Sequence, residues 1–216
     1  MDLLYRVQRQ SIVNTCLSLS KSGFLAGLGG NVAMRLSNTE FAVTPSAADY
    51  YTMTAEDICI LNLRSLERID DNGRPASVES GLHAALFLGR PDLSASIHTH
   101  QPIASAVTLL HLNIPIDTIY QSLLGSEVKT IQYAPSGSKA LVQSLKRSLQ
   151  PNINGYLLPN HGIVCAAKSL TEAMNGVAII EKQAASFLLT LIRESQIPTV
   201  SASLMSKIES HLQQAL

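Results

Sequence analysis

The stretch ASIHTHQPIAS, residues 95–105, packs the end of a strand and the start of a helix into eleven positions. The run LSASIHTH reads as a short apolar strand, and Pro102 falls in the first turn of a following helix, where a missing N–H costs nothing. On a strand, residues i and i+2 face the same way, so His98 and His100 converge while Thr99 points opposite. Converging imidazoles suit a metal ion, at about 2.0–2.1 Å per Zn–N bond. An HxH pair alone is equally what two half-exposed histidines at a strand end look like, so further ligands must come from elsewhere in the chain.

Working outward, strands and helices interleave. Residues 3–22 form an amphipathic helix by the spacing of Leu3, Leu4, Val7, Val13, Cys16, Leu17 and Leu19, with Gly23 as its C-cap. VAMRL and EFAVT alternate as two strands joined by SNTE, and a third strand centres on Ile58, Ile60 and Leu61. Asp71-Asn72-Gly73 marks a tight turn. A helix begins near Ser77 and stops before Pro91. YAPSGSKALVQSLKRSL is a loop leading into a helix, and GYLLPNHGIVCAA is two strand segments broken at Pro159-Asn160. A capping box from Ser169 to Glu172 opens a long helix, and SASLMSKIESHLQQAL is a final amphipathic one. The pattern predicts one domain over residues 1–216, a three-layer α/β/α sandwich with a mixed, mostly antiparallel central sheet.

Composition narrows the role. Charged residues make up 15% of the 216, against roughly 25% in typical soluble domains, and Lys plus Arg balance Asp plus Glu at 16 each. So sparse a charge suggests a surface partly covered by partner subunits. With no basic stripe and no Trp, nucleic acid is not an expected partner. The N-terminus MDLLYRVQRQ lacks the apolar core of a signal peptide, and no window reaches the ~18 apolar residues of a membrane helix. The three cysteines, Cys16, Cys59 and Cys165, read as buried thiols in a reducing compartment, which places the protein in the cytoplasm.

Other candidates for chemistry are individually ordinary. His161 stands in LPNHGIVC after a strand and before Gly162, which permits a close turn of the backbone. Glu79 lies at the start of the helix preceding the HxH strand, where the helix dipole favours a carboxylate. His83, at i+4, is spaced to hydrogen-bond it. GLGGNVAMR is a glycine-rich turn able to present N–H groups to an anion, but it is neither a Walker loop nor a dinucleotide fingerprint.

Taken in order, GGNVAMR, TPSA, Glu79-Ser-Gly-Leu-His83, HTH and NHG resemble the class II aldolase and adducin head family, over about Ser11 to Leu191. The resemblance implies that His98, His100 and His161 bind a divalent metal, usually zinc, with manganese, cobalt or iron as other choices. It implies that Glu79 shuttles a proton while the metal, acting as Lewis acid, stabilises an enediolate of a small hydroxy-carbonyl substrate. The family's phosphate pocket maps onto Gly30, Asn31, Thr44, Ser46, Ala47, Ser77 and Val78. Three positions depart from its pattern: Ala33 and Val78 replace serines and Ala47 replaces a glycine. Hydrogen bonds to charged groups are worth roughly 1.5–3 kcal/mol each, so losing two hydroxyls weakens phosphate binding by orders of magnitude. A carboxylate or smaller anion thereby becomes an alternative to a sugar phosphate. Tyr120 lies near the region expected to assist a neighbour's site, one residue out of register, and reads equally as an interface or core tyrosine. The expected activity is that of an aldolase-type lyase, in a homotetramer with sites between subunits. A decarboxylase, dehydratase or epimerase using the same intermediate is the alternative, and a non-catalytic adducin-like binding protein ranks last because all the ligands are present.

Overall fold

A computed structural model of the chain describes residues 4–25, 29–70, 73–194 and 201–216. The first helix, α1 (Arg6–Lys21), buries Ile12, Val13, Cys16 and Leu19. The chain leaves it through Gly23 at φ +78°, the left-handed turn expected of a glycine there. Leu3, Gly27 and the turn residues Asp71 and Asn72 lie outside the described residues.

Strands β1 (Asn31–Arg35), β2 (Glu40–Val43) and β3 (Cys59–Asn62) follow as antiparallel neighbours. Helix α2 (Ser80–Gly89) begins at Ser80 rather than Ser77. The delay has a cause: Ala76 bridges Pro45 and Ser77 N donates to Thr44 O at 3.1 Å, so this segment is tied to the turn after β2 before the helix can start.

Next come β4 (Ala95–Thr99), α3 (Pro102–Val107), β5 (Ile114–Pro115), α4 (Gln121–Leu124), β6 (Glu127–Thr130), α5 (Lys139–Ser148), β7 (Gly155–Leu158), β8 (Gly162–Ala167), α6 (Leu170–Glu194) and α7 (Ala202–Gln213). The expected capping box of α6 is half formed: Ser169 Oγ accepts from Glu172 N, while Glu172 reaches back to Lys168 N instead. Strands β5 and β6, of two and four residues, are too short for an alternating pattern to register in sequence.

The eight strands form one sheet in the order β3-β2-β1-β4-β8-β7-β6-β5. Among the described residues only the β6–β7 pairing is parallel. Side chains alternate between its faces. Ile97, Ile163 and Cys165 join a core with α1, α3 and α6 residues such as Ile12, Ala104 and Ile180. Val164 and Ala166 join a second core with α2 and α5 residues such as Leu82, Leu86 and Leu145. Helices thus cover both faces, and the expected three-layer, mostly antiparallel architecture is the one observed. Cys16, Cys59 and Cys165 are buried, as read from the sequence.

Candidate metal centre

Strand β4 lies inside the sheet, pairing with β1 on one side and β8 on the other. By alternation Ser96 and His98 face the α2 layer, and His100, just past the strand end, continues that side. The next residues are held firmly. Glu181, from α6, accepts from Ile103 N at 2.8 Å and Ala104 N at 2.9 Å, satisfying the first free N–H groups of α3. The strand-to-helix corner that carries His100 is therefore anchored from the opposite layer.

His161 arrives from the β7–β8 turn. Asn160 adopts φ +57°, a left-handed conformation that asparagine tolerates better than most residues, and His161 N closes the turn on Leu158 O at 3.0 Å. Gly162 then begins β8 so close to β4 that an added Cβ would lie 2.3 Å from Thr99 O and 2.8 Å from His100 Cδ2. A side chain at this position would push apart the two segments that carry the histidines.

The ring nitrogens of His98, His100 and His161 lie within 4.8 Å of one another. His98 Nε2 is 2.9 Å from His100 Nε2 and 3.2 Å from His161 Nε2. Tetrahedral zinc with bonds of about 2.0–2.1 Å places its nitrogen ligands about 3.3 Å apart, so the cluster is near the size a zinc-like ion requires. His98 Nδ1 is 2.6 Å from Ile163 O and donates to it, which turns Nε2 toward the cluster. A backbone acceptor behind a ligating imidazole is how metal sites commonly fix ring and tautomer. His98 is fully buried, His161 half-buried and His100 exposed, so the cluster opens on the His100 side. Burial, then repulsion from His98 and His161, pushes His100 down to about 4, and burial with His98 lowers His161. Both rings are therefore kept neutral, as metal binding demands. The donor set fits a divalent cation that accepts imidazole nitrogen.

Glu79 lies at the N-cap of α2. Its Oε2 is 3.1 Å from His98 Nε2 and its Oε1 3.3 Å from His161 Nε2. Asn31 Nδ2 donates to Oε2 and Ser136 Oγ to Oε1, each at 2.9 Å. Burial alone would raise the Glu79 carboxyl, but His98 and Asn31 hydrogen bonds and the nearby imidazoles outweigh it and hold it well below the usual carboxylate range. One expectation is corrected here. His83 does not bond Glu79, because Glu79 precedes the helical repeat and its carboxylate points across toward β1 and β4. The His83 ring instead spans Asn31 Oδ1 at 2.6 Å and Ser96 Oγ at 2.8 Å.

The residues expected to touch substrate cluster beside this centre, with their polar groups partly committed. Gly30, at φ +83°, has no room for a Cβ, which would lie 2.7 Å from His98 O. Asn31 is spent on Glu79. Thr44 Oγ1 accepts from Val32 N at 3.3 Å and Ser77 Oγ from Glu79 N at 3.2 Å. Ser46 N donates to Pro75 O, joining the two turns. Ala47 takes the left-handed φ of +51°, and Val78 is 73% exposed. Tyr120 packs against the core on the α6 side, and no hydrogen bond joins it to Glu79 or the histidines among the described residues. Sequence reading missed Ser136, which lies 57 residues from Glu79 in a loop with no periodicity to mark it.

Residues 10–188 match the family described as Class II Aldolase and Adducin N-terminal domain. The chain is 30% identical over 182 residues to the 5-deoxy-D-ribulose 1-phosphate aldolase of Bacillus thuringiensis, covering 83% of each. It is 27% identical over 193 residues to the L-fuculose phosphate aldolase of Escherichia coli, covering 89% of this chain and 87% of that one. Its fold superposes on a solved L-fuculose 1-phosphate aldolase with a TM-score of 0.79 at 23% identity, covering 95% of each chain.

Proposed function

Because the chain belongs to the class II aldolase and adducin N-terminal domain family, we propose that it is a metal-dependent, aldolase-type lyase, acting on a small hydroxy-carbonyl compound with an anionic tail. One observation carries the reading: three imidazoles converge at metal spacing with a buried carboxylate against two of them. His98, His100 and His161 would hold the ion, zinc being favoured by three nitrogen donors. Once bound, the ion supplies Lewis acidity at a carbonyl oxygen and stabilises charge that develops there.

The protein's own groups do the rest. Ile163 O fixes the His98 ring, Gly162 brings the strands together, and Glu79 carries the proton that C–C cleavage or formation must move. Glu79 lies against two of the histidine nitrogens that the ion would take, so an ion held there would have the carboxylate beside it and within reach of a bound substrate. Gly30, Thr44, Ser46, Ala47, Ser77 and Val78 line the place for the substrate tail. A sugar phosphate is the first choice, as in the two named relatives, and a carboxylate the second.

The whole chain is proposed as one domain around one sheet. Exposed Leu109, Leu110, Leu112 and Ile119 support assembly into a homotetramer through the face that also bears Tyr120. Buried cysteines support a cytoplasmic setting, and no helix among the described residues is long and apolar enough to cross a membrane.

Metal content per subunit is the direct test: about one zinc per chain in the wild type and near none in His161→Ala is the expected result. Glu79→Gln should keep the metal and lose nearly all cleavage of L-fuculose 1-phosphate or 5-deoxy-D-ribulose 1-phosphate. A wild type that binds no zinc when it is supplied, or a Glu79→Gln variant with full turnover, refutes the assignment.

A further inference from the structure

We infer that Ser96, His83 and Asn31 form a buried, one-way hydrogen-bond chain that positions one oxygen of Glu79 and leaves the other to move the proton. The inference rests on the reading of Glu79 as the proton-transfer group.

The polarity of the chain follows from which groups can donate. A carboxylate only accepts, so the Asn31 atom 2.9 Å from Glu79 Oε2 must be the amide nitrogen. Asn31 then turns its carbonyl oxygen to His83 Nε2, 2.6 Å away, and a carbonyl also only accepts. His83 must therefore carry its proton on Nε2. Nδ1 is left bare to accept from Ser96 Oγ at 2.8 Å. Each link forces the next: hydroxyl to imidazole, imidazole to amide, amide to carboxylate.

The parts come from three elements of one buried layer. Ser96 and Asn31 lie on β4 and β1, where Asn31 pairs with His98, and His83 lies one turn along α2 from Glu79. Ser96 and His83 are wholly buried and Asn31 is 4% exposed. The chain thus has no water to compete for its links, and turning the amide over would set its oxygen against the carboxylate. The Oε1 side differs. Its partner, Ser136, belongs to an exposed residue on the loop before α5. Each oxygen also has one histidine nitrogen against it, His98 Nε2 at Oε2 and His161 Nε2 at Oε1. Beyond these, Oε2 is held by packed elements and Oε1 by the hydroxyl of an exposed residue, so Oε1 is the oxygen placed to take and give the proton. Among the described residues no hydrogen bond joins His83 or Ser96 to His98, His100, His161 or Glu79, so they are positioning residues acting through Asn31.

Two experiments test this on the full chain. Nitrogen NMR of the imidazoles, in zinc-loaded and metal-free protein, should find His83 protonated at Nε2 and bare at Nδ1. It should also find an Asn31 side-chain NH2 signal that shifts in Glu79→Gln, since that NH2 faces the exchanged group. The opposite His83 tautomer, or an Asn31 signal indifferent to Glu79→Gln, overturns the inference without any assay of activity. In kinetics with L-fuculose 1-phosphate as probe, His83→Leu should lower kcat about 10–100-fold, the usual cost of removing such an outer partner, with KM and zinc stoichiometry near wild type. His83→Gln, whose amide N–H can still reach Asn31 Oδ1, should recover most of the loss, and Ser96→Ala should fall between. If Glu79→Gln is inactive but a folded, zinc-loaded His83→Leu keeps full kcat, the positioning chain is refuted and the proton role of Glu79 stands. If Glu79→Gln retains turnover, the functional reading falls while the NMR result still reports on the chain.

Discussion

The two sides of the site are built to different standards. On the histidine side the segments are fixed from several directions: Ile163 O behind His98, a glycine-only contact beside His100, a left-handed asparagine ahead of His161, a carboxylate from α6 clamping the corner beyond. On the side of the two turns, Thr44 and Ser77 use their hydroxyls to hold backbone, Ala47 sits in a conformation alanine resists, and Val78 stands out into solvent. The difference teaches that the fold itself holds the three imidazoles in place. On the proposed reading, recognition of the rest of the substrate falls mainly to backbone groups of the two turns.

The comparison breaks most sharply at Gly162. Gly162→Ala must displace Thr99 O or the His100 ring, a kind of overpacking that costs about 1–3 kcal/mol. We expect a lower Tm together with zinc affinity down at least tenfold; an alanine variant with wild-type affinity would mean the close approach is unimportant to the site.

Acid should weaken the histidine side next. Burial, with repulsion from His98, pushes His83 down to about 3, and His100 is down to about 4. An unfolded chain takes up these protons near pH 6.5, which the folded metal-free protein refuses. Stability present above that pH is therefore lost as pH falls, by roughly 1 kcal/mol per pH unit for the buried His83 alone. The depressed Glu79 carboxyl acts in the same direction at lower pH. Unfolding midpoints of the metal-free protein from about pH 7 down to about pH 4 should show the slope, and His83→Gln should flatten it.

The smallest effect belongs to the turns. Left-handed backbone costs a residue with a Cβ about 1–2 kcal/mol, so Ala47→Gly should stabilise the chain by about 1 kcal/mol at most, the gain being reduced by the added freedom of the unfolded glycine. Denaturant titration measures it. A destabilised Ala47→Gly would show that the turn is held by the Ala47 side chain rather than strained by it.

Much of this site was legible in one dimension because its logic is periodic or local. The i, i+2 spacing of His98 and His100 gave their common face, and LPNHG gave a turn with a glycine after it. What escaped depends on registers that no local pattern records. His83 looks like a partner of Glu79 by helical spacing, yet Glu79 stands outside the helix and the ring meets Asn31, a neighbour only because β1 pairs with β4. Ser136 reaches Glu79 from a loop whose residues carry no periodic signal. Strands β5 and β6 are shorter than the pattern that would reveal them, and β5 is the edge strand of the sheet.

The order in which the ligands occur along the chain gives the centre a position in time as well as in space. His161 follows His98 by 63 positions, and Asn31 precedes Glu79 by 48. A chain emerging from the ribosome has its first two imidazoles long before the third, and β8 must add to the middle of the sheet, between β4 and β7, before the set is complete. Metal sites rarely preexist in unfolded chains, so the free energy of ion binding becomes available only at this closing step. On the proposed reading, strong loading would be reserved for molecules whose central strands have joined, and an ion held at full affinity would report that synthesis and folding are both past that point.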